Sequence, residues 1–566
     1  MATRVQKLLA VCLAVASWPQ SAACESISPK VETRNGTYSG RHIQEFNQDA
    51  FLGIPFGQAP RLGLLTALNE AWDDDLLNVS TSDNCLNLNI LRQSGYKNKL
   101  LPVVVWIYGG GFLNGFNGIP TANTSYVIKA SVENSTPVMS VSINYRVGFY
   151  GLPGGVQAAQ AGIVNLGLKD QRLALAWIQE NIEAFGDDPD KVTLWSQSAG
   201  SASIGYQWLV YDGQGAEDFF RGTILVSGGP LTSNILYPTH PNCIEGYQNI
   251  LNVTGYNAAD NTLECVKKTS VDDVLLASST APFPRWWPSI DGDFIVRPPD
   301  WQLQMGHFSP KISSIVGANN DEGLASANAY AQGVETEKGL EQTLKKLFPA
   351  ARDSVLQEVL VAYPADGPSP PYSLPTPDER FCEAMIDAGL PCPGQYRRVP
   401  AIIGDYAQIG ARRVQAKGYS AGGAKVYSYR FDTNPTSIRI VLNAIAPGFA
   451  THSSEYAYFF GFPPDYNLYN FNPTVPNVTS HLALSRGIVD KLVAYIEIGD
   501  PNKAKVPGFP RWPLYSITSP KNMVFNATES ANNLDVHIEA DTWRKEGMGL
   551  WEKYPVELQF GSNWRP

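Results

Sequence analysis

The stretch "TLWSQSAGSAS" (residues 193–203) joins an apolar, strand-like run to a cluster of small residues around one serine. It lies close to the G-x-S-x-G pattern, in which a sharp strand-to-helix turn exposes a serine hydroxyl. Ser196 stands where the first glycine would be, and Gln197 precedes the central Ser198. A serine so placed is either a nucleophile or part of an ordinary Ser-rich turn. The flanking sequence decides between the two.

From residue 101 to 230, short apolar runs alternate with helical patterns, the mark of β-α units and a mostly parallel sheet. "LPVVVWIY" (101–108) and "PVMSVSI" (137–143) read as buried strands. "LGLKDQRLALAWIQENIEAF" (166–185) reads as a helix, with Leu173, Ala174, Trp177, Ile178, Ile182 and Phe185 spaced to form one apolar face. "KVTLW" (191–195) is the next strand and carries Ser198 at its carboxyl end. In open α/β sheets that is the edge where ligands bind.

A serine hydroxyl attacks only when a base takes its proton and donors stabilise the resulting oxyanion. "YGGGF" (108–112) follows a strand, and its three glycines free backbone N–H groups to approach a ligand closely. The N–H of Ala199, directly after the serine, is the third donor. Of six histidines, the chain order serine–acid–histidine excludes His42 and disfavours His240 and His307. His481 and His537 lie in amphipathic polar stretches and read as solvated. His452 follows the strand "KVYSYRF" (425–431) and an irregular loop with Pro447 and Gly448, and is the candidate base. "ISSIVGANNDEG" (312–323) reads as a strand leading into Asp321 and Glu322, and spacing alone does not choose between the two acids.

The bulk properties narrow the setting. The 566-residue chain is 44% hydrophobic and only 17% charged, with a net charge of −10. Without a Lys/Arg cluster, nucleic acid and anionic membrane are not expected partners. Arg4 and Lys7 precede the apolar run Leu8 to Ala16 and the small residues Ser21, Ala22 and Ala23, which reads as a secretory leader over 1–23. No later segment reads as a membrane helix. Its removal leaves Cys24, Cys85, Cys243, Cys265, Cys382 and Cys392, which in an exported chain read as disulfides rather than metal ligands. Sequons at Asn35, Asn78, Asn123, Asn134, Asn252, Asn477 and Asn526 fit the same route.

Together these segments resemble the type-B carboxylesterase family, the α/β-hydrolase branch that includes cholinesterases and some microbial lipases. The likeness runs through "FLGIPFGQAP" (51–60), "CLNLNI" (85–90), "VVVWIYGGGF" (103–112), "SINYRVGFYG" (142–151), the stretch 165–200, "PSIDGDF" (288–294), "GANNDEG" (317–323) and "HSSEYAYFFG" (452–461). It implies an α/β-hydrolase fold, one catalytic domain over 24–566, and a secreted serine ester hydrolase acting on a small-molecule carboxylic ester without metal or organic cofactor. It implies Glu322 as the acid beside Ser198 and His452, and Gly110, Gly111 and Ala199 as oxyanion donors. Arg146 and Asp170 fall where the family places a buried ion pair. Short local loops and the resemblance lead us to expect disulfides Cys243–Cys265 and Cys382–Cys392, with Cys24 and Cys85 left over. The family's usual cysteine just after "VTG" (253–255) is, however, missing.

Two departures bear on function. The family shows G-E-S-A-G where this chain has S-Q-S-A-G (196–200), which drops a charge but no member of the triad. The segment Arg61 to Asn84 is short and has no internal cysteine, whereas relatives carry a disulfide-closed loop there, a lid in lipases. The alternatives are an interfacial lipase, disfavoured by the missing lid, and an inactive binding or adhesion protein, disfavoured by the intact triad. Phe283, Trp286 and Trp287 read either as acyl-pocket walls or as core aromatics.

Overall fold

The computed structural model describes residues 28–558 except 59–84, 97–99, 233–234, 271–272, 275, 278–285, 325–333, 365–385, 387–393, 396–397, 434–449, 464–478, 529–532 and 556. The leader, Cys24, the Arg61–Asn84 segment, Phe283, and the pair Cys382 and Cys392 lie outside the described residues.

A hairpin of β1 (Lys30–Thr33) and β2 (Gly36–Ser39) precedes an eleven-stranded sheet. Its strands are β3 (Arg41–Ile43), β4 (Gln48–Pro55), β5 (Asn87–Gln93), β6 (Leu101–Ile107), β7 (Met139–Ile143), β8 (Asp187–Gln197), β9 (Gly222–Val226), β10 (Ser313–Asn319), β11 (Val426–Phe431), β12 (Lys521–Thr528) and β13 (Asn533–Ala540). The spatial order is β13-β12-β11-β10-β9-β8-β6-β7-β5-β4-β3. Strands β7, β6, β8, β9, β10, β11 and β12 are parallel, and the antiparallel pairs lie at the two edges.

The central strands are apolar throughout because both faces are covered. On β6, Val103, Val105 and Ile107 join one core with Ala174, Ile178 and Ile204 of the helices Leu166–Asn181 and Ala199–Gly213. Val104 and Trp106 point the other way, into a second core with Ile488 and Leu492 of the helix Thr479–Ile498. This is the period of two that a strand imposes on its side chains. In the helix Leu166–Asn181, Ala174, Trp177 and Ile178 are buried as expected, but Leu173 is 45% exposed. It sits at the margin of the face, against Gly57.

After β6 the chain adds β7 on one side, and β8 then returns to the other side of β6. The order reverses there, and the crevice between the carboxyl ends of β6 and β8 is the topological switch point. The loops after both strands are those singled out above.

Two expectations are corrected. Cys243 and Cys265 are free thiols, not a disulfide. Cys243, in the helix Pro241–Thr254, packs its side chain against Gly154. The link from that helix to Thr262–Val266 is made instead by the Tyr247 hydroxyl, 3.0 Å from Thr262 Oγ1. Burial pushes the Cys243 thiol up to about 11. His481 is not solvated: it is fully buried, with Nδ1 2.5 Å from the Tyr458 hydroxyl.

Candidate active site

Ser198 occupies φ 58°, ψ −129°, between β8 and the helix Ala199–Gly213. That region is rare for a residue with a Cβ, and its cost is borne by surrounding packing. Ser198 N–H donates to Val226 O at 2.9 Å, and the next turn begins as Ala202 N–H donates to Ser198 O at 3.0 Å. The close approach of strand and helix explains the small residues. A Cβ on Gly200 would land on Ser196 Oγ and 2.7 Å from Tyr108 O. Ser196 is tolerated in place of glycine because its hydroxyl donates to Ile107 O across the sheet.

Glu322 and His452 are brought to this turn by one clamp. At the last residue of β10, Asn319 N–H donates to Glu322 Oε1 at 2.6 Å, and Asn319 Nδ2 donates to Thr451 O at 2.8 Å. Asp321 N–H donates to Ala450 O at 2.8 Å, tying the same strand end to the loop that carries the histidine. His452 Nδ1 is 2.6 Å from Glu322 Oε2, and Nε2 is 2.9 Å from Ser198 Oγ. A proton on Nδ1 faces the carboxylate, so the Nε2 lone pair faces the serine hydroxyl. The choice that spacing left open is thus made by geometry: Glu322 meets the imidazole, and Asp321 does not. Burial pushes the Asp321 carboxyl up to about 7, partly offset by Arg544.

Burial alone would lower the pKa of His452. The charge and hydrogen bond of Glu322, with Glu455 behind it, outweigh that and raise it above the ordinary imidazole value. Gln197 Nε2 lies 3.2 Å from His452 Nε2 and donates to Ser453 Oγ at 3.0 Å. Glu455 was not anticipated from the sequence, although it follows His452 by three residues in "HSSEYAYFFG". Its Oε1 accepts from the Ser227 hydroxyl at 2.5 Å, and Oε2 accepts from Asn319 Nδ2. Burial and the neighbouring Glu322 push it up to about 7.

After β6, Gly110 (φ 91°), Gly111 (φ 64°) and Phe112 (φ 63°) run through a left-handed turn. It is closed by Leu113 N–H donating to Gly110 O at 3.0 Å. A Cβ on Gly110 would strike Asn114, so this position needs glycine. Ala199 is the first residue of its helix, where the N–H has no intrahelical acceptor. Arg146 and Asp170 form a buried bidentate pair at 2.7 and 2.6 Å. Trp286 is a core residue, edge-on to Phe149 at 5.2 Å. Trp287 is partly exposed and its ring lies 6.4 Å from Phe112, beside the glycine turn.

A mostly parallel sheet, its switch point, and a serine, histidine and glutamate aligned at its carboxyl edge define the α/β-hydrolase class. The model of the carboxylesterase family matches residues 66–544, and the chain belongs to that family. It is a carboxylic ester hydrolase. It is 32% identical over 427 residues to "Secreted lipase 1" of Botryotinia fuckeliana (71% of this chain, 70% of that one). It is 30% identical over 455 residues to "Lipase 4" of Diutina rugosa (71% and 79%). "Lipase 1" of Geotrichum candidum is 33% identical over 407 residues (67% and 69%). Among the described residues no helix is long and apolar enough to cross a membrane.

Proposed function

We propose that the protein is a secreted serine esterase that works through an acyl-enzyme. Ser198 attacks the ester carbonyl as His452 takes its proton, and Glu322 holds the imidazole and stabilises its charged form. The N–H groups of Gly110, Gly111 and Ala199 face the oxyanion of the tetrahedral intermediate. The imidazolium then protonates the departing alcohol, and water activated by the same histidine releases the acid. The observation that carries this reading is the line Ser198 Oγ–His452–Glu322, at 2.9 and 2.6 Å. Trp287, whose ring lies 6.4 Å from that of Phe112 beside the glycine turn, is the candidate wall of the acyl pocket. The leader pattern at the N-terminus and the relative named a secreted lipase support export.

Hydrolysis of a chain-length series of nitrophenyl esters tests the activity, and an organophosphate that labels Ser198 and no other serine tests the site. The relatives named lipases favour a second reading, a lipase acting at an oil surface. A tributyrin titration separates the two: a sharp rise in rate above the solubility limit selects the lipase.

A further inference from the structure

The helix Thr479–Ile498 is followed by a proline-rich strap, "DPNKAKVPGFPRWP" (500–513). Four prolines restrict its backbone. Gly508 (φ 79°) makes its tight turn. Asn502 closes it into a ring, with Nδ2 donating to Trp512 O at 2.9 Å and Oδ1 accepting from Trp512 N–H at 2.7 Å. Phe509 rests on Gly487 of the helix, where a Cβ would collide with its ring. The strap is anchored beside the amino end of β11, where the Tyr427 hydroxyl donates to Asp500 Oδ1 at 3.2 Å, so it lies away from the carboxyl edge that holds Ser198.

Strap and helix border an open cavity of about 410 Å3 whose lining includes Lys491, Asn502, Lys505 and Arg511. Lys491 is 3% exposed. Its ammonium donates to Ala504 O at 2.9 Å, its one hydrogen bond among the described residues, though it carries three N–H donors. Asp500, the carboxylate nearby, is occupied by the backbone N–H and side-chain amide of Asn502 (2.9 and 3.0 Å) and by Tyr427. Burial and the like charges of Lys505 and Arg511 hold Lys491 below the usual lysine value. In a chain of net charge −10, three cations are thus held around one cavity against their mutual repulsion.

We propose that this cavity binds a small multivalent oxyanion of the phosphate class, with Lys491 at its floor and Lys505 and Arg511 at its mouth. A buried cation is costly unless paired, and a bound anion supplies the partner that Ala504 O only partly replaces. A guanidinium offers the planar fork that matches two phosphate oxygens, and an ammonium adds a point charge. The ring of Asn502, Trp512 and prolines is already ordered, so binding forfeits little loop entropy. The site is independent of the catalytic reading.

Isothermal titration of the full-length protein at fixed ionic strength tests it, with inorganic phosphate as the probe and glycerol phosphate in a parallel arm. One saturable site is expected, and the tighter of the two probes tells free phosphate from a phosphate carried on an organic headgroup. The double variant Lys505→Glu, Arg511→Glu alters exposed side chains only. It should weaken Kd at least tenfold and leave ester hydrolysis unchanged. Lys491→Met should abolish binding while raising Tm without anion. Heat-free titrations of the parent protein, or equal Kd in parent and double variant, would overturn the proposal. So would a Tm rise in phosphate common to both, because that is the general exclusion effect of the salt.

Discussion

Gln197 and Ser196 are where this site departs from the type-B pattern, and the position of Gln197 beside the histidine gives its departure a consequence. Its amide stands 3.2 Å from His452 Nε2 without a charge, so the imidazole feels Glu322 on one side and a neutral dipole on the other. Gln197→Glu places a carboxylate there and raises the histidine further. The acid limb of kcat/KM, which requires neutral His452, should then move to higher pH, and choline esters should gain on neutral ones because a cation acquires a counter-charge. A parent enzyme that turns over butyrylcholine faster than a neutral butyrate ester would contradict this account. At Ser198 the expectation is simpler. Ser198→Ala should lower kcat/KM by roughly 10³-fold or more, leaving what binding and the oxyanion donors contribute alone. Tm should hold or rise. Near-normal hydrolysis by the variant would refute the assignment.

At the scale of elements, the strand–turn–helix around Ser198 is set by close approach. Gly200→Ala puts a methyl onto Ser196 Oγ and the carbonyls that end β6, and neither backbone can retreat without parting the sheet. We expect a loss of about 3 kcal/mol in urea unfolding. Ser196→Ala, which removes only the hydroxyl bonded to Ile107 O, should cost about 1 kcal/mol. Comparable losses in the two variants would mean that packing does not govern this turn. The same elements show what was legible in the sequence. Strands β6, β8, β10 and β11 could be read because continuous apolar runs bounded by polar turns have few other solutions. Glu322 over Asp321 could not be read from spacing, because the choice depends on how Asn319 and Ala450 clamp two distant loops. Glu455 carried the weak signal of an acid near a histidine, which becomes meaningful only once Ser227 and Asn319 converge on it. Cys243 misled because short sequence separation says nothing about which face of a helix a thiol occupies. It turned toward Gly154.

The whole molecule encloses several carboxyl groups whose protonation is tied to folding. Burial pushes Asp187 well above the carboxylate range, only partly countered by Arg92. Neither Asp187 oxygen has a hydrogen-bond partner among the described residues. Burial likewise pushes Asp321 and Glu455 to about 7 and Asp405 to about 6. In the unfolded chain these groups titrate near 4. Between about pH 4 and 7 the folded state therefore holds more protons than the unfolded one, and stability falls as pH rises through that window. His452, raised in the fold, adds to the same slope just above it. Asp541 works in the opposite sense. Burial notwithstanding, Arg412 and Arg413 hold it below the usual range, so its contribution is present above about pH 4 and is lost only in stronger acid. The sum places maximal stability in mild acid. Under the proposed mechanism activity follows the other direction, since His452 would have to lose its proton to act as a base. Tm should be higher at pH 5 than at pH 8, while kcat/KM climbs over the same interval. Asp187→Asn, which removes one titrating group without touching the site, should flatten the Tm slope and leave the rate profile in place. A Tm that rises from pH 5 to 8 would show that these carboxyls reach water or partners that relieve their burial.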